Sequence, residues 1–540
     1  MLSFFRIQQH GTVIVTPLLR KTLLHTEDEP VGRSNFIEIK QTEAMKKPFQ
    51  LSLMSLFALM MTTGTTMGRA QSPYTIEVQV EGLNKDTVYL AYYYGNKLYY
   101  SDTTITDTEG RLTFPGRPFE QCGKHAIVIP GPKYFEFMAV TEDIVIETKA
   151  SDPSKYVNVI ESDENKVFYE FLGFIGERRA LATPYEQTMK DSSATDAEIQ
   201  EARQVLTELG NEVGAEQKRI LDVHADKLFA KYLNMVLEPT IPEVPKSIAN
   251  PQELQYRWYL DHYWDRVDFG DPRLVHDGSF HQILETYWTR VLPQVPDTLL
   301  NSADRLIAKA AGNDEMFKYI THYITFNSES SQVMCMDKIF VHMIDTYYAT
   351  GQATWMNEEQ LKKVMDRADE LRDSQCGSII PNIILPGIDQ QTWISLYDIE
   401  AKYIAVLIWE STCGHCKKEL PKYKELYKEW HPKGLEIYAI GNDFEPEPWQ
   451  KFVKDQEYTD WINVSDNPLI NAQDSASALI YGGVTTLKSL NFRTTFDVFA
   501  TPKVLLLDKN KKIIGKQIGA EQLGDILGRL EEMDRKGIPY

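Results

Sequence analysis

The spacing of apolar positions changes twice along the chain. From about residue 73 to 150 it has a period of two. Thr75-Ile76-Glu77-Val78-Gln79-Val80 alternates strictly, and Thr87 to Tyr94 is β-branched and aromatic before a Gly95-Asn96 turn signal. Glu109-Gly110 lies between Thr103-Thr104-Ile105 and Leu112-Thr113-Phe114, which predicts a hairpin. His125 to Ile129, Tyr134 to Val140 and Asp143 to Glu147 continue the pattern. Short strands this closely spaced predict an N-terminal antiparallel β sandwich over 71–155. The Tyr92-Tyr93-Tyr94 and Tyr99-Tyr100 clusters read as cross-strand pairs.

From 156 to 378 the period becomes helical. Asp196 to Val223 is one long amphipathic stretch, and Pro239, Pro242 and Pro245 then interrupt the pattern. Helices follow near 279–293, 303–310, 315–326, 332–349 and 357–372. The aromatic run Tyr256 to Phe269 reads as helices packing on each other. This stretch contains no phosphate loop, no dinucleotide turn and no paired metal-binding histidines. It reads as an interaction or spacer region.

From 379 to 540 strands and helices alternate, which predicts an α/β unit. A hairpin around Gly387 and Asp389 opens it. The apolar run Ile404-Ala405-Val406-Leu407-Ile408 is a buried strand, and Lys417-Lys418-Glu419-Leu420 continues into a helix. Further strands are expected at 435–440, 504–507 and 513–518, with helices from Pro448 and over Glu521 to Met533. Asp466 to Asp497 reads as a helical insertion or a lid.

Composition narrows the classes. A net charge of −20 in 540 residues, with no basic stripe, argues against nucleic-acid binding. Five cysteines are too few for a disulfide scaffold of this length. Met45-Lys46-Lys47, the apolar run Leu51 to Met61 and the small-residue end at Ala70 form a signal-peptide pattern over 45–70. Residues 1–44 are then an upstream extension, absent from the mature protein. No later window is long and apolar enough for a membrane span, so an exported, periplasmic protein without an integral span is expected.

The chemistry centres on Cys413-Gly414-His415-Cys416, where a strand passes into a helix. A spacing of three residues brings both thiols to one helix face, within disulfide reach. The first sits at the helix N-terminus, where exposed N–H groups favour a thiolate. A lone Cys-x-x-Cys is also half of a zinc site, but zinc takes four ligands and no second pair exists. A peroxidase needs Ser or Thr three residues before its cysteine; Glu410 and Asp373 stand there instead. Cys122, Cys335 and Cys376 are scattered and read as buried free thiols.

With Trp409, the Cys413–Cys416 motif, Pro421 and Ala500-Thr501-Pro502 before an apolar strand, the C-terminal third resembles the thioredoxin superfamily, specifically the exported TlpA-like thiol–disulfide oxidoreductases. The preceding parts resemble the uncharacterised β domain and helical region often found with such domains. The resemblance implies Cys413 as nucleophile, Cys416 as resolving thiol, a Cys413–Cys416 redox disulfide and a cis peptide bond before Pro502. It implies Gly414, Trp409 and Thr501 as supporting residues, no bound cofactor or metal, protein thiols or disulfides as substrates, and an exported or membrane redox donor. His415 would tune the potential: Gly-His is the dipeptide of protein disulfide isomerase, near roughly −180 mV against about −270 mV for thioredoxin. The family direction is reduction, with oxidase or isomerase action as the other directions. Thr412 stands where a Trp is usual, and Leu407 replaces the buried carboxylate, leaving Glu410 as the nearest base in sequence. The alternative is a non-enzymatic envelope-associated binding protein using the fold as a scaffold.

Overall fold

The computed structural model describes residues 74–245, 250–331, 333–443, 445–466 and 473–537. The upstream extension and the expected signal peptide lie outside them. The described chain divides into two compact units. One runs to Pro293 and includes Ile307–Tyr319; the other comprises Gln294–Leu306 and everything from Ile320. The division falls inside the helical region.

The first unit opens with eight strands: β1 Thr75–Glu81, β2 Thr87–Tyr94, β3 Lys97–Ile105, β4 Arg111–Pro115, β5 Gly123–Ile129, β6 Lys133–Ala139, β7 Ile144–Lys149 and β8 Asn158–Glu161. They form two four-stranded sheets, ordered β4-β1-β7-β8 and β3-β2-β5-β6. Ile76 and Val78 from one sheet and Leu90, Ile127 and Phe137 from the other share a single apolar core. Period-two alternation produces this, because every second side chain faces inward. Two expectations are corrected. β1 and β7 pair in parallel, Ile76 against Ile144, so the strands are not all antiparallel. The predicted hairpin at Glu109-Gly110 does not pair: β3 lies on β2, whereas β4 lies on β1 in the other sheet. Both differences have one cause. Local alternation sets which face is buried, while sheet membership depends on partners distant in sequence. At Gly95-Asn96 the β2–β3 hairpin turns directly from Tyr94 to its partner Lys97, and Gly95 takes φ +58°. Tyr92 sits opposite Tyr99, with ring centroids 5.8 Å apart.

Helices α1 Asp163–Thr188, α2 Asp196–Val223, α3 Leu228–Met235, α4 Pro251–His262 and α5 Gly278–Thr286 follow. α2 starts where Thr195 and Glu198 form a reciprocal capping box. Asn165 ties α1 to β6: its side chain donates to the Met138 carbonyl at 2.8 Å and accepts from the Met138 amide at 2.7 Å. The aromatic run packs as read, with Tyr263, Trp264 and Tyr287 centroids 4.8–5.0 Å apart. Next come α6 Pro296–Ala310, α7 Asp314–Glu329, α8 Asp337–Met343 and α9 Glu358–Arg372. No helix among the described residues is long and apolar enough to cross a membrane.

The second unit holds the α/β layers. A small hairpin pairs β9 Ile384–Pro386 with β10 Trp393–Ser395. Then come β11 Tyr403–Trp409, α10 Gly414–Trp430, β12 Leu435–Gly441, α11 Pro446–Asp455, β13 Ile462–Ser465, α12 Gln473–Tyr481, two short turns at Leu487–Leu490 and Phe492–Thr495, β14 Lys503–Asp508, β15 Ile513–Lys516 and α13 Ala520–Lys536. The sheet order is β13-β12-β11-β14-β15, with β11, β12 and β13 mutually parallel and β14 and β15 antiparallel. β11 is central and buried on both faces, which explains its unbroken apolar run. Tyr403, Ala405, Leu407 and Trp409 face a core shared with α10 and α13; Ile404, Val406 and Ile408 face a second core with Leu385 and Phe496. The insertion packs on the domain, where Thr485 and Ser489 hydrogen-bond the Ile384 carbonyl and amide at 2.7 and 2.9 Å.

Cys335 and Cys376 are joined in a disulfide, with Cα atoms 5.6 Å apart. This corrects their reading as free thiols. Cys335 precedes α8 with φ +69°, and the expected helix from 332 starts only at Asp337.

Candidate active site

The site forms where β11 gives way to α10. After Trp409 the chain leaves the sheet through Glu410-Ser411-Thr412, and Cys413 caps the helix that starts at Gly414. Cys413 makes no side-chain cap bond, and the His415 and Cys416 amides of the first turn act on its sulfur electrostatically. Cys413 is half-buried and Cys416, one helical turn on, is fully buried; both are free thiols. The Thr501–Pro502 peptide bond is cis, and the Cys413 thiol donates to the Thr501 carbonyl at 3.4 Å.

The two thiols are electrostatically unequal. Burial pushes the Cys413 pKa up, but hydrogen bonding from the Thr501 side chain, from the Cys416 amide and thiol and from the His415 amide outweighs it, and the net direction is down. Burial pushes Cys416 up to about 11; the neighbouring Cys413 adds to the rise, and the Glu410 backbone and Thr501 offset part of it. One sulfur of the pair is therefore inclined to the thiolate and accessible, while the other holds its proton and is enclosed. That is the division of labour a nucleophile and a resolving thiol need.

The remaining predicted residues fall into three positions. Gly414 and His415 are exposed beside Cys413, and a side chain added at Gly414 would meet open space. Thr501 and Pro502 are half-buried against it. Trp409 is fully buried, its ring 5.5 Å from that of Phe452 of α11, in the core cluster against which Cys413 packs. The Glu410 carboxylate accepts from the Thr412 hydroxyl at 2.7 Å, and its influence on Cys416 runs through the backbone.

Asp443, not singled out from the sequence, is buried just past β12. Its carboxylate accepts from the Ser411 amide at 3.0 and 3.2 Å and from the Ser411 hydroxyl. The Asn442 amide donates to the Trp409 carbonyl at 2.7 Å. Together these bonds fix the three residues leading into Cys413. Burial raises the Asp443 pKa, Ser411 counteracts that, and the charge of Glu410 adds to the rise. One signal in the sequence pointed here: sites in parallel sheets gather at the C-terminal ends of adjacent strands, and Asp443 follows the strand beside β11.

Residues 376–516 match the AhpC/TSA family, and residues 191–372 match a family described as a domain of unknown function, DUF5106. The thiol-disulfide oxidoreductase ResA of Bacillus cereus is 25% identical over 159 residues, covering 29% of this chain and 79% of that protein. ResA of Oceanobacillus iheyensis is 31% identical over 83 residues, covering 15% of this chain and 43% of that protein. Among solved structures, a domain of a possible thiol-disulfide isomerase from Cytophaga hutchinsonii is 33% identical, covers 31% of this chain and 99% of its own, and superposes with a TM-score of 0.25. A thioredoxin-like protein from Bacteroides caccae is 18% identical, covers 54% of this chain and 98% of its own, with a TM-score of 0.39.

Proposed function

From the premise that the C-terminal third is a thioredoxin-like domain of the thiol–disulfide oxidoreductase kind, we propose that the protein is an exported enzyme that reduces disulfides in protein substrates. The supporting observation is the asymmetry of its pair: Cys413 accessible with a lowered pKa, Cys416 buried with a raised one.

In the reductive direction the Cys413 thiolate attacks one sulfur of a substrate disulfide. The substrate S–S bond breaks, a mixed disulfide forms, and the departing substrate thiolate takes up a proton. Cys416 then loses its proton and attacks the Cys413 sulfur. The Cys413–Cys416 disulfide forms and the second substrate thiol leaves. Two electrons have passed to the substrate, and an exported or membrane-bound dithiol donor returns them. The enclosure of Cys416 keeps it protonated until the mixed disulfide has formed. Glu410, the nearest carboxylate in sequence, is placed to influence the entrance loop; Gly414 and His415 leave the approach to Cys413 open.

Export is supported by the signal-peptide pattern from Met45 and by the Cys335–Cys376 disulfide, which persists in oxidising compartments. Insulin reduction by dithiothreitol is expected to be accelerated by the protein and not by its Cys413→Ser variant; equal rates from the two overturn the reading. A Cys416→Ser variant is expected to retain clients as mixed disulfides, which identifies them.

A further inference from the structure

We propose that Arg367, on the last helix of the region matched by the family of unknown function, is a positioning residue for the Thr501–Pro502 segment that faces Cys413. The inference rests on the disulfide-exchange reading above and gives part of the helical region a task within it.

Arg367 projects from α9. Its guanidinium donates to Asp497 through two nitrogens, Nη1 to Oδ1 at 2.5 Å and Nη2 to Oδ2 at 3.3 Å. This is the forked arrangement that fixes direction as well as distance. Glu370, at 3.0 Å, and Glu329, at 3.6 Å, hold the same guanidinium from the helical side. The ion pair is not a solvent-screened surface contact, because the Asp497 side chain is only 6% exposed.

Asp497 is the hinge point of the segment. It adopts φ +52°, in the left-handed region, and its amide donates to the Thr494 carbonyl at 3.1 Å, closing the turn before it. From there the chain runs through Val498-Phe499-Ala500 to Thr501 and re-enters the sheet at Lys503. The Lys503 ammonium reaches back, donating to the Asp497 carbonyl at 2.5 Å and lying 3.6 Å from its carboxylate. One residue thus anchors both ends of the segment.

Val498 packs against the second core, but Phe499 and Ala500 beyond it are exposed. Phe499 is 80% exposed, with the Arg367 guanidinium 5.2 Å from its ring. Yet Thr501, two residues on, must keep its carbonyl within 3.4 Å of the Cys413 sulfur. Two cations, Arg367 and buried Lys503, share the Asp497 carboxylate. Without Arg367 the carboxylate is released toward Lys503 alone, and the turn that launches the segment loses its external fix. Misplacement on this scale, remote from the chemistry, is known to lower turnover substantially.

The test compares Arg367→Ala, Arg367→Lys and Arg372→Ala in the full chain. Arg372 serves as a control on the same helix, paired instead with Asp345 at 2.5 and 2.8 Å. Hydrogen exchange over residues 497–503 is expected to accelerate about tenfold in Arg367→Ala, less in Arg367→Lys, and not in Arg372→Ala. Unchanged exchange there, or equal acceleration across β11 and β12, overturns the proposal. The kcat for insulin reduction is expected to fall about tenfold in Arg367→Ala with KM changed less, at a temperature where every variant is folded. Faster exchange with KM and kcat both unchanged also overturns it. If the wild type shows no Cys413-dependent turnover, the disulfide-exchange reading itself fails, and the exchange data still decide whether Arg367 orders the segment.

Discussion

The second unit contains two cysteine pairs built on opposite terms. Cys413 and Cys416 are three positions apart, share one helix turn, and stand as free thiols with their pKa values pushed in opposite directions. Cys335 and Cys376 are 41 positions apart and are already bonded. The bridge joins the loop before α8 to the segment entering the α/β layers. Its neighbours are structural: the Lys516 ammonium bonds Asp337 and the Ser374 carbonyl, and the Gly377 amide donates to the Ile513 carbonyl at 2.7 Å. A pair that reacts needs close spacing, a helix N-terminus and one accessible sulfur. A pair that fastens needs only that two distant segments meet.

Substitutions can break this contrast in order of size. Cys413→Ser is expected to reduce insulin turnover to the dithiothreitol background while leaving the melting temperature within a degree or two of the wild type, about what a surface change does. Cys335→Ser should do the reverse. Losing a bridge across this separation costs on the order of 2–4 kcal/mol, a fall of about 5–15 °C in calorimetry, with turnover at 25 °C retained. If Cys335→Ser abolishes turnover in folded protein, the two pairs are not independent.

A smaller effect tests what holds the open pair. Asp443→Ala leaves the buried Ser411 amide without its acceptor and is expected to cost about 1–3 kcal/mol in urea unfolding. Its alkylation profile should show a less uniform Cys413. An unchanged midpoint would mean that the loop holds itself.

The smallest effect is in the titration. Iodoacetamide should modify Cys413 with a midpoint below that of an ordinary thiol, and Cys416 should resist until the pH nears 11. The linkage has a definite sign. Unfolded Cys416 loses its proton near 9.0, and the folded group holds its proton to about 11. The native state therefore binds more protons in that window, and stability declines as the pH rises through it. For Cys413 the folded pKa is lowered, so its contribution is present at high pH and is lost as the pH falls through the folded value. The bonded pair adds nothing to either window.

The placement of Cys413 and Cys416 on one helix turn was legible in the sequence because it is set locally. The strand run, the i, i+3 spacing and the helix formers all lie within residues 404–420. The fastening pair was not, since neither Cys335 nor Cys376 has a motif and the contact depends on how α8 and β15 pack. Asp443 and Arg367 escaped for the same reason: each acts on a residue far along the chain, Ser411 and Asp497. The long helix Asp196–Val223 and the Gly95-Asn96 hairpin were readable because period and turn chemistry determine them. The parallel β1–β7 pair was not, because alternation reports a buried face and carries no record of the neighbouring strand.

That parallel pair bears on how the chain folds. β1, the earliest described strand, lies in the interior of its sheet, flanked by β4 on one side and β7 on the other. A chain emerging from its N-terminus can close the β4 side first, but β1 keeps an open edge until Ile144–Lys149 arrives. Long-range closure of this kind slows folding and leaves an unpaired edge exposed in the meantime. Deleting β7 should therefore leave the first six strands collapsed but prone to associate, rather than independently folded.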